Sequence, residues 1–179
     1  MQKLIILAQR VWNPIPQLWH KFFPTAPEKT FLREWTTHLI AHAKVYNGMF
    51  TGIKRVSEGT AKKPEKIINE WCTRTRYKFE DSPVNELCQK YLHPLCEKGD
   101  AGEYQKWTRL LLAAAEKAGI TYQKEVELIL DDTSVMAYID WDGEELYSGD
   151  EVEVMTPAWY QNGKVLEQGH CKKREMEGE

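Results

Sequence analysis

Four side chains in the middle of the chain have the chemistry of a zinc site. Cys88, His93 and Cys96 are close in sequence, and Cys72 lies on the preceding predicted helix. Thiolates and an imidazole suit tetrahedral zinc, but the usual pattern has cysteine pairs about two to four residues apart on a tight turn. Cys72 and Cys88 also fall on apolar helical faces, where cysteine behaves as a small hydrophobic residue. We therefore predict structural cysteines and no metal, with zinc binding by the four residues left as an alternative.

Two further pairs are candidates on spacing alone. His38 and His42 are one helical turn apart, which suits a metal, but no third ligand is near them in sequence. Cys171 beside His170 suggests a nucleophile with its base. Neighbouring residues in a strand point to opposite faces, which argues against that pairing. We interpret all four as ordinary structural residues.

Acidic side chains cluster in the C-terminal part of the sequence and could bind a divalent cation through oxygen ligands. They are Asp131, Asp132, Asp140, Asp142, Glu144 and Glu145. Their spacing differs from that of the calcium-binding loop, so we interpret them as solvated turn residues. The sequence contains no glycine-rich phosphate loop, nucleophile elbow, His-Glu-x-x-His motif or dinucleotide fingerprint. It predicts a protein that is not an enzyme and holds no cofactor.

The composition predicts a folded, soluble protein. The chain has 179 residues, 42% of them hydrophobic and 11% aromatic, with seven Trp, which is enough to bury a core. No apolar run approaches the roughly 18 residues of a membrane span. The run from Leu4 to Ala8 is shorter than the roughly 7–15 residues of a secretory signal. We therefore expect a cytoplasmic location and no membrane partner.

Charge divides the chain into a basic and an acidic part. Residues 1–124 carry 20 Lys and Arg against 12 Asp and Glu, whereas residues 125–179 carry 4 against 15. The densest basic stretch, Lys54 to Lys78, would suit nucleic acid or an acidic protein. Because Glu58, Glu65 and Glu70 dilute it, we favour a solvated helical surface and expect no nucleic-acid partner.

Apolar periodicity predicts four helices before residue 122. The first starts at Thr30 as N-cap and continues to about Val56; the second starts at Pro64. Ser82-Pro83 starts a third, which Pro94 should bend or end, and a fourth ends at Gly119. The first 29 residues, rich in Pro and Trp, should wrap around a hydrophobic surface of this chain or of a partner.

After Tyr122 the apolar period changes to two. Strands are expected around residues 126–130, 135–141 and 152–154, with Asp142-Gly143 and Asn162-Gly163 as hairpin signals. The second strand should bury Val135, Ala137, Ile139 and Trp141. The predicted fold class is α+β: a mainly helical domain over 1–121, followed by a small antiparallel β domain of four or five strands over 122–179.

Two stretches resemble one family in the same order. Val152-Glu153-Val154, followed by Trp159-Tyr160-Gln161-Asn162-Gly163-Lys164-Val165-Leu166, resembles the closing hairpin of GrpE, the nucleotide exchange factor of DnaK-type chaperones. Upstream, Trp107-Thr108-Arg109-Leu110-Leu111-Leu112 and Glu116-Lys117-Ala118-Gly119-Ile120 resemble the last helix of that family. The resemblance covers about 40 residues at the C-terminal end of the chain.

The resemblance implies a co-chaperone. In the family, the β domain wedges against the nucleotide-binding domain of the chaperone and helices hold a dimer together. If this contact is transferred to the present chain, the partner-binding residues would be Trp159, Tyr160, Asn162 and Lys164. The same residues could serve only to form the turn and the core. The chain departs from the family where Glu167-Gln168-Gly169 replaces Arg-Pro-Ala, and the long coiled-coil helix has no counterpart.

Two other functions remain as alternatives. Gly149 to Val154 also resembles the strand entry of an SH3-like barrel, which would make the chain an adaptor protein. The basic stretch Lys54–Lys78 would serve a nucleic-acid-binding protein. The sequence favours a non-enzymatic, cytoplasmic protein-binding factor, and the resemblance implies a homodimer.

Overall fold

The computed structural model describes residues 24–78 and 86–174. The helices are α1 (Ala26–His42), α2 (Phe50–Glu58), α3 (Pro64–Lys78), α4 (His93–Lys98) and α5 (Ala101–Lys117), with a 3₁₀ turn at Ala43–Tyr46 and a π-helical turn at Cys88–Leu92. The strands are β1 (Ile120–Tyr122), β2 (Glu127–Ile129), β3 (Tyr138–Asp140), β4 (Glu151–Thr156), β5 (Trp159–Gln161), β6 (Lys164–Glu167) and β7 (Gly169–Lys173). The predicted α+β class, with helices before strands, is confirmed. The Trp-rich segment before Pro24 and the predicted start of a helix at Ser82-Pro83 lie outside the described residues.

Helix α1 begins earlier than predicted. Thr25 is its N-cap, and the Thr25 backbone N–H donates to Glu28 Oε2 at 2.6 Å, as in a capping box. Pro27 is tolerated because the N–H groups of the first turn need no partner within the helix. Thr30, the predicted cap, lies inside the helix, where its hydroxyl donates to the Ala26 carbonyl at 3.1 Å.

The single long helix expected from Thr30 to Val56 is wrong. It divides into α1 and α2, separated by the 3₁₀ turn and by Gly48 at φ +80°. The break allows both helices to pack on α5. Within the 3₁₀ turn, the Tyr46 ring stacks on the Trp71 ring of α3, with the ring centroids 4.0 Å apart and the ring planes inclined by 14°. Apolar periodicity continues across the break because both sides face the same core.

Pro94 does not end the third helical segment but alters it. The π-helical turn Cys88–Leu92 comes directly before α4, and Pro94 lies in the first turn of α4. Since proline has no N–H to donate to the preceding turn, a wider turn accommodates it. Where a bend or an end was predicted, the structure therefore has a change of helix type from π to α.

Over the residues that the structure describes, seven strands form two sheets, which is more than the four or five predicted. The first sheet has the order β1-β5-β6 and is antiparallel. The second has the order β2-β4-β7-β3, and its β3–β7 pair is parallel, so the sheet is not wholly antiparallel. Asn162-Gly163 makes the predicted β5–β6 hairpin, with φ of 52° and 77°.

Asp142-Gly143 does not make a hairpin. The strand before it, β3, pairs with β7 rather than with β4. Instead, the buried Asp140 carboxylate accepts the Asp142 and Glu144 N–H groups at 2.8 and 3.1 Å and caps the turn.

The alternation expected over residues 135–141 is shifted by one residue. A 3₁₀ turn occupies Val135–Ala137, so Tyr138 and Asp140 are buried while Ile139 and Trp141 are 45% and 58% exposed. A shift of one residue moves a strand's side chains to the other face. Ile139 and Trp141, which were predicted for the core, therefore lie on the surface, whereas Ala137 is buried as predicted and Val135 is half-buried against the same core.

The buried apolar residues between 24–78 and 86–174 form two clusters. The larger combines the helices with Ile120, Trp159 and Leu166 of the first sheet. The smaller consists of Leu130, Ala137, Tyr138, Val152, Ala158 and Cys171. The domain border between residues 121 and 122 stays a prediction; β1 crosses it. Within the described part of the chain, no helix combines the length and the apolar character needed to cross a bilayer.

Polar contacts fasten the first sheet to the helices. Glu167 is 5% exposed, and its carboxylate accepts the N–H groups of Phe50 and Thr51 at 2.9 and 3.2 Å, which caps α2. Trp159 Nε1 donates to Thr51 Oγ1 at 3.0 Å, and Gln161 Nε2 donates to the Leu39 carbonyl at 3.1 Å. The β5–β6 hairpin is thus bonded to both α1 and α2.

We expect Glu167→Ala to lower the free energy of unfolding by about 2–4 kcal/mol, because two N–H groups at the start of α2 lose their acceptor. Urea unfolding followed by circular dichroism measures the change. Glu167→Gln keeps one acceptor oxygen and should lose about half as much.

The exposed Glu116 of α5 provides the control. Glu116→Ala should change the unfolding free energy by less than about 0.5 kcal/mol. A Glu167→Ala variant as stable as this control would show that the cap contributes nothing to stability.

Candidate partner-binding site

The β5–β6 hairpin tip is fixed against the end of α5. The Asn162 N–H donates to the Gly119 carbonyl at 3.2 Å, and Ile120 of β1 pairs with Gln161 of β5. Gly119 has φ +75°, and a Cβ there would lie 2.6 Å from Asn162 Oδ1. Glycine is therefore required both by the backbone conformation and by the close approach of the hairpin.

The four predicted partner-binding residues have different environments. Trp159 is 2% exposed and packs between Phe50 and Tyr122, with ring centroids 5.4 and 4.7 Å away. Tyr160 is half-buried against the smaller core cluster, whereas Asn162 and Lys164 are exposed. Their partner-binding role stays a prediction. Because the Trp159 indole is enclosed, its part is to hold the hairpin, and the accessible groups are those of Tyr160, Asn162 and Lys164.

Burial also affects the acidity of Tyr160. Desolvation, and secondarily the negative charge of Asp131, raise the pKa of the Tyr160 hydroxyl above its ordinary value. The hydroxyl is therefore neutral at physiological pH and can act as a hydrogen-bond donor.

The second sheet has an exposed apolar surface that sequence reasoning missed. We call it the outer sheet face and define it by Ile139, Trp141, Met155 and His170. Met155 is 47% exposed, and the Trp141 and His170 rings meet edge to face at 5.8 Å. Exposed apolar surfaces of this kind mark interaction sites. No local sequence signal separates Ile139 and Trp141 from core residues, since the shift of register comes from the preceding 3₁₀ turn.

The cysteines do not form a metal centre with His93. Cys72 and Cys88 are buried, and half-buried Cys96 donates its S–H to the Glu65 carbonyl at 3.7 Å. A hydrogen bond with Cys88, together with burial, raises the pKa of the Cys72 thiol, and burial raises that of Cys96. Protonated thiols are poor ligands and nucleophiles. Within residues 24–78 and 86–174, no three His, Cys, Asp or Glu side chains come together as a metal-binding group.

The remaining candidates have structural surroundings. Cys171 is buried in the smaller cluster while His170 lies on the opposite face, as strand alternation predicts. Asp131 accepts the Thr133 and Ser134 N–H groups at 3.0 and 2.6 Å, and hydrogen bonds from Ser134 chiefly hold the pKa of Asp131 below its ordinary value.

A cavity of about 520 Å³ lies between α1 and the start of the π-helical turn, with His38 and His42 in its wall. Glu34, also in the wall, accepts from Lys90 at 3.1 Å and from the Tyr91 hydroxyl at 2.9 Å. His38 is 8% exposed, and its Nε2 and the Tyr46 hydroxyl are 3.0 Å apart. Burial, with a smaller contribution from His42, lowers the pKa of His38 to about 4. His38 is therefore neutral at physiological pH.

Comparison of the chain with protein-family models, with curated proteins and with solved structures finds no significant match.

The buried histidine predicts a pH-dependent stability. The unfolded chain takes up a proton at His38 below its ordinary pKa of 6.5, whereas the folded chain does so only near 4. The free energy of unfolding should therefore fall as the pH drops from 6.5 to about 4. Below that range, His38 should cause no further change. In the His38→Gln variant, this loss of unfolding free energy should be smaller by about 1–3 kcal/mol.

Urea unfolding at a series of pH values compares wild type with His38→Gln. The other titrating groups are common to both, so the difference between the two curves isolates His38. His170→Gln removes an imidazole from the sheet surface and serves as the control. Parallel curves for wild type and His38→Gln would place the pKa of His38 near its ordinary value.

Proposed function

We propose that the chain is a non-enzymatic protein-binding factor, a GrpE-like co-chaperone that promotes nucleotide exchange on a DnaK-type chaperone. One observation supports the proposal most directly. The two stretches that resemble GrpE, 107–120 and 152–166, meet through the β1–β5 pair and the bond from Asn162 to Gly119. Residues 152–154 lie on β4 in the second sheet, so the unit that the two stretches share consists of α5, β1 and the β5–β6 hairpin.

The proposed contact surface is the hairpin tip. Asn162 and Lys164 present an amide and a cation to solvent, and Tyr160 adds a partly exposed ring. The hairpin is rigidly placed, because Trp159 and Gln161 are hydrogen-bonded to α2 and α1. A rigid contact surface loses little conformational entropy on binding.

The proposed mechanism is a shift of population. A chaperone that opens and closes around its nucleotide is driven towards the open form by any protein that binds that form more tightly. The acceleration of release then depends on the difference between the two affinities. No group of this chain needs to take part in a chemical step.

The same resemblance supports two further proposals. We place the protein in the cytoplasm, where such chaperones act, and we propose a homodimer held by the helical part. In the basic stretch Lys54–Lys78, Lys54 pairs with Glu58, Lys66 pairs with Glu70, and Arg74 donates to the Asn47 carbonyl. These contacts leave fewer cations of the stretch for a nucleic-acid partner.

Release of a fluorescent ADP analogue from the purified DnaK-type chaperone of the same cell tests the function. We expect the full chain to accelerate the release of the ADP analogue. The Lys164→Glu variant should accelerate release about tenfold less, because it reverses a charge at the contact. Lys44→Glu makes the same change on the exposed 3₁₀ turn between α1 and α2 and should retain full activity.

The outcomes separate function from site. No acceleration by the wild type would reject the exchange-factor function. Acceleration that Lys164→Glu leaves intact would retain the function and reject the hairpin tip as its contact.

A further inference from the structure

The outer sheet face combines apolar and acidic character. Ile139, Trp141 and Met155 present the apolar groups. Three ion pairs lie around it: Lys172 with Asp142 at 3.3 Å, Lys173 with Asp150 at 3.0 Å and Arg174 with Glu127 at 2.7 Å.

The cations of these ion pairs are Lys172 and Lys173 of β7 and Arg174 directly after it. Carboxylates are nevertheless in excess in this part of the chain. Residues 125–174 contain 12 Asp and Glu against 4 Lys and Arg. Among the described residues, Glu144, Glu151 and Glu153 take part in no ion pair. Glu153 lies opposite Lys172 in the sheet register. A hollow of about 610 Å³ is lined by four carboxylates and three cations: Asp140, Asp142, Glu144, Glu153, Lys172, Lys173 and Arg174. The face therefore suits an occupant that is both apolar and basic.

The chain itself contains a segment of that chemistry. Residues 1–23 carry Lys3, Arg10 and Lys21 and no acidic residue. Their apolar side chains include Trp12, Trp19, Phe22 and Phe23. We propose that residues 1–23 bind the outer sheet face of their own chain, with aromatic and aliphatic groups on Ile139, Trp141 and Met155 and with Lys and Arg facing Glu144, Glu151 and Glu153. The inference is independent of the exchange-factor function.

Chain length permits the contact. The described part begins at Pro24, and 23 extended residues reach about 75 Å, against a diameter of about 40 Å for a domain of this size. Because segment and face belong to one chain, the local concentration of the segment is high.

Charge disfavours the nearest alternative surface. The hollow beside Pro24, of about 400 Å³, is lined by Lys29, Arg33 and Lys117 and by no carboxylate. A segment with three cations and no anion is repelled there and attracted by the acidic sheet.

Zero-length carbodiimide cross-linking of the full chain, followed by peptide mass spectrometry of the monomer band, tests the contact. We expect Lys3 or Lys21 to link to Glu144, Glu151 or Glu153. The pairs Lys172–Asp142 and Lys173–Asp150 serve as internal controls, since their atoms are already 3.3 and 3.0 Å apart.

Three results would overturn the proposal. The first is cross-linking of the control pairs without cross-linking of Lys3 or Lys21. The second is cross-linking of Lys3 and Lys21 only to helical carboxylates such as Glu34 or Glu86. The third is cross-linking of Lys3 and Lys21 to the sheet only in the dimer band, which would make a second copy the occupant.

A charge swap gives a second, independent measurement. The double variant Lys3→Glu/Lys21→Glu should raise the binding of an apolar fluorescent dye by about twofold, because it uncovers the outer sheet face. Adding Glu151→Lys and Glu153→Lys should restore the wild-type signal, which general unfolding would not do.

Lys44→Glu/Lys62→Glu changes the net charge equally on the helical part and should leave dye binding unchanged. Unaltered dye binding in the Lys3→Glu/Lys21→Glu variant, or failure of the swap to restore the signal, would contradict the proposal.

Discussion

The carboxylate of Glu167 at the start of α2 is the contact on which the joining of the helices to the sheets depends. A buried carboxylate needs donors, and the first N–H groups of a helix need acceptors, so each satisfies the other. Glu167 ends β6, and β7 begins two residues later. The position of β6 therefore determines that of β5 in one sheet and of β7 in the other.

The sequence predicted well what depends on nearby residues. Pro64 and Gly119 correctly marked a helix start and a helix end, and Asn162-Gly163 correctly marked a hairpin, because each acts through its own backbone conformation. The sequence could not predict the division of α1 from α2, because Tyr46 stacks on Trp71 of another helix. The parallel β3–β7 pair and the cap from Glu167 to Phe50 join residues far apart in the chain, and no local pattern encodes them. The exposure of the candidate site residues also depends on distant contacts: Asn162 and Lys164 are exposed, whereas Phe50 and Tyr122 enclose Trp159.

Three residues at which the sequence differs from the hairpin it resembles have defined roles in this fold. Glu167 caps α2, and Gln168 Nε2 donates to the Met136 carbonyl at 3.1 Å. Gly169 lies so close to neighbouring strands that a Cβ would be 2.4 Å from the Thr156 carbonyl oxygen and 2.7 Å from the Tyr138 ring. The sequence Glu167-Gln168-Gly169 is therefore specified by contacts within the chain, whatever the chain binds.

Residues from the end of the chain complete the larger core cluster. Trp159 and Leu166 pack with helical residues that precede them by about a hundred positions. A contact between residues so far apart forms only after the intervening chain has closed into a loop. We therefore expect completion of this cluster to be slow compared with the formation of the individual helices.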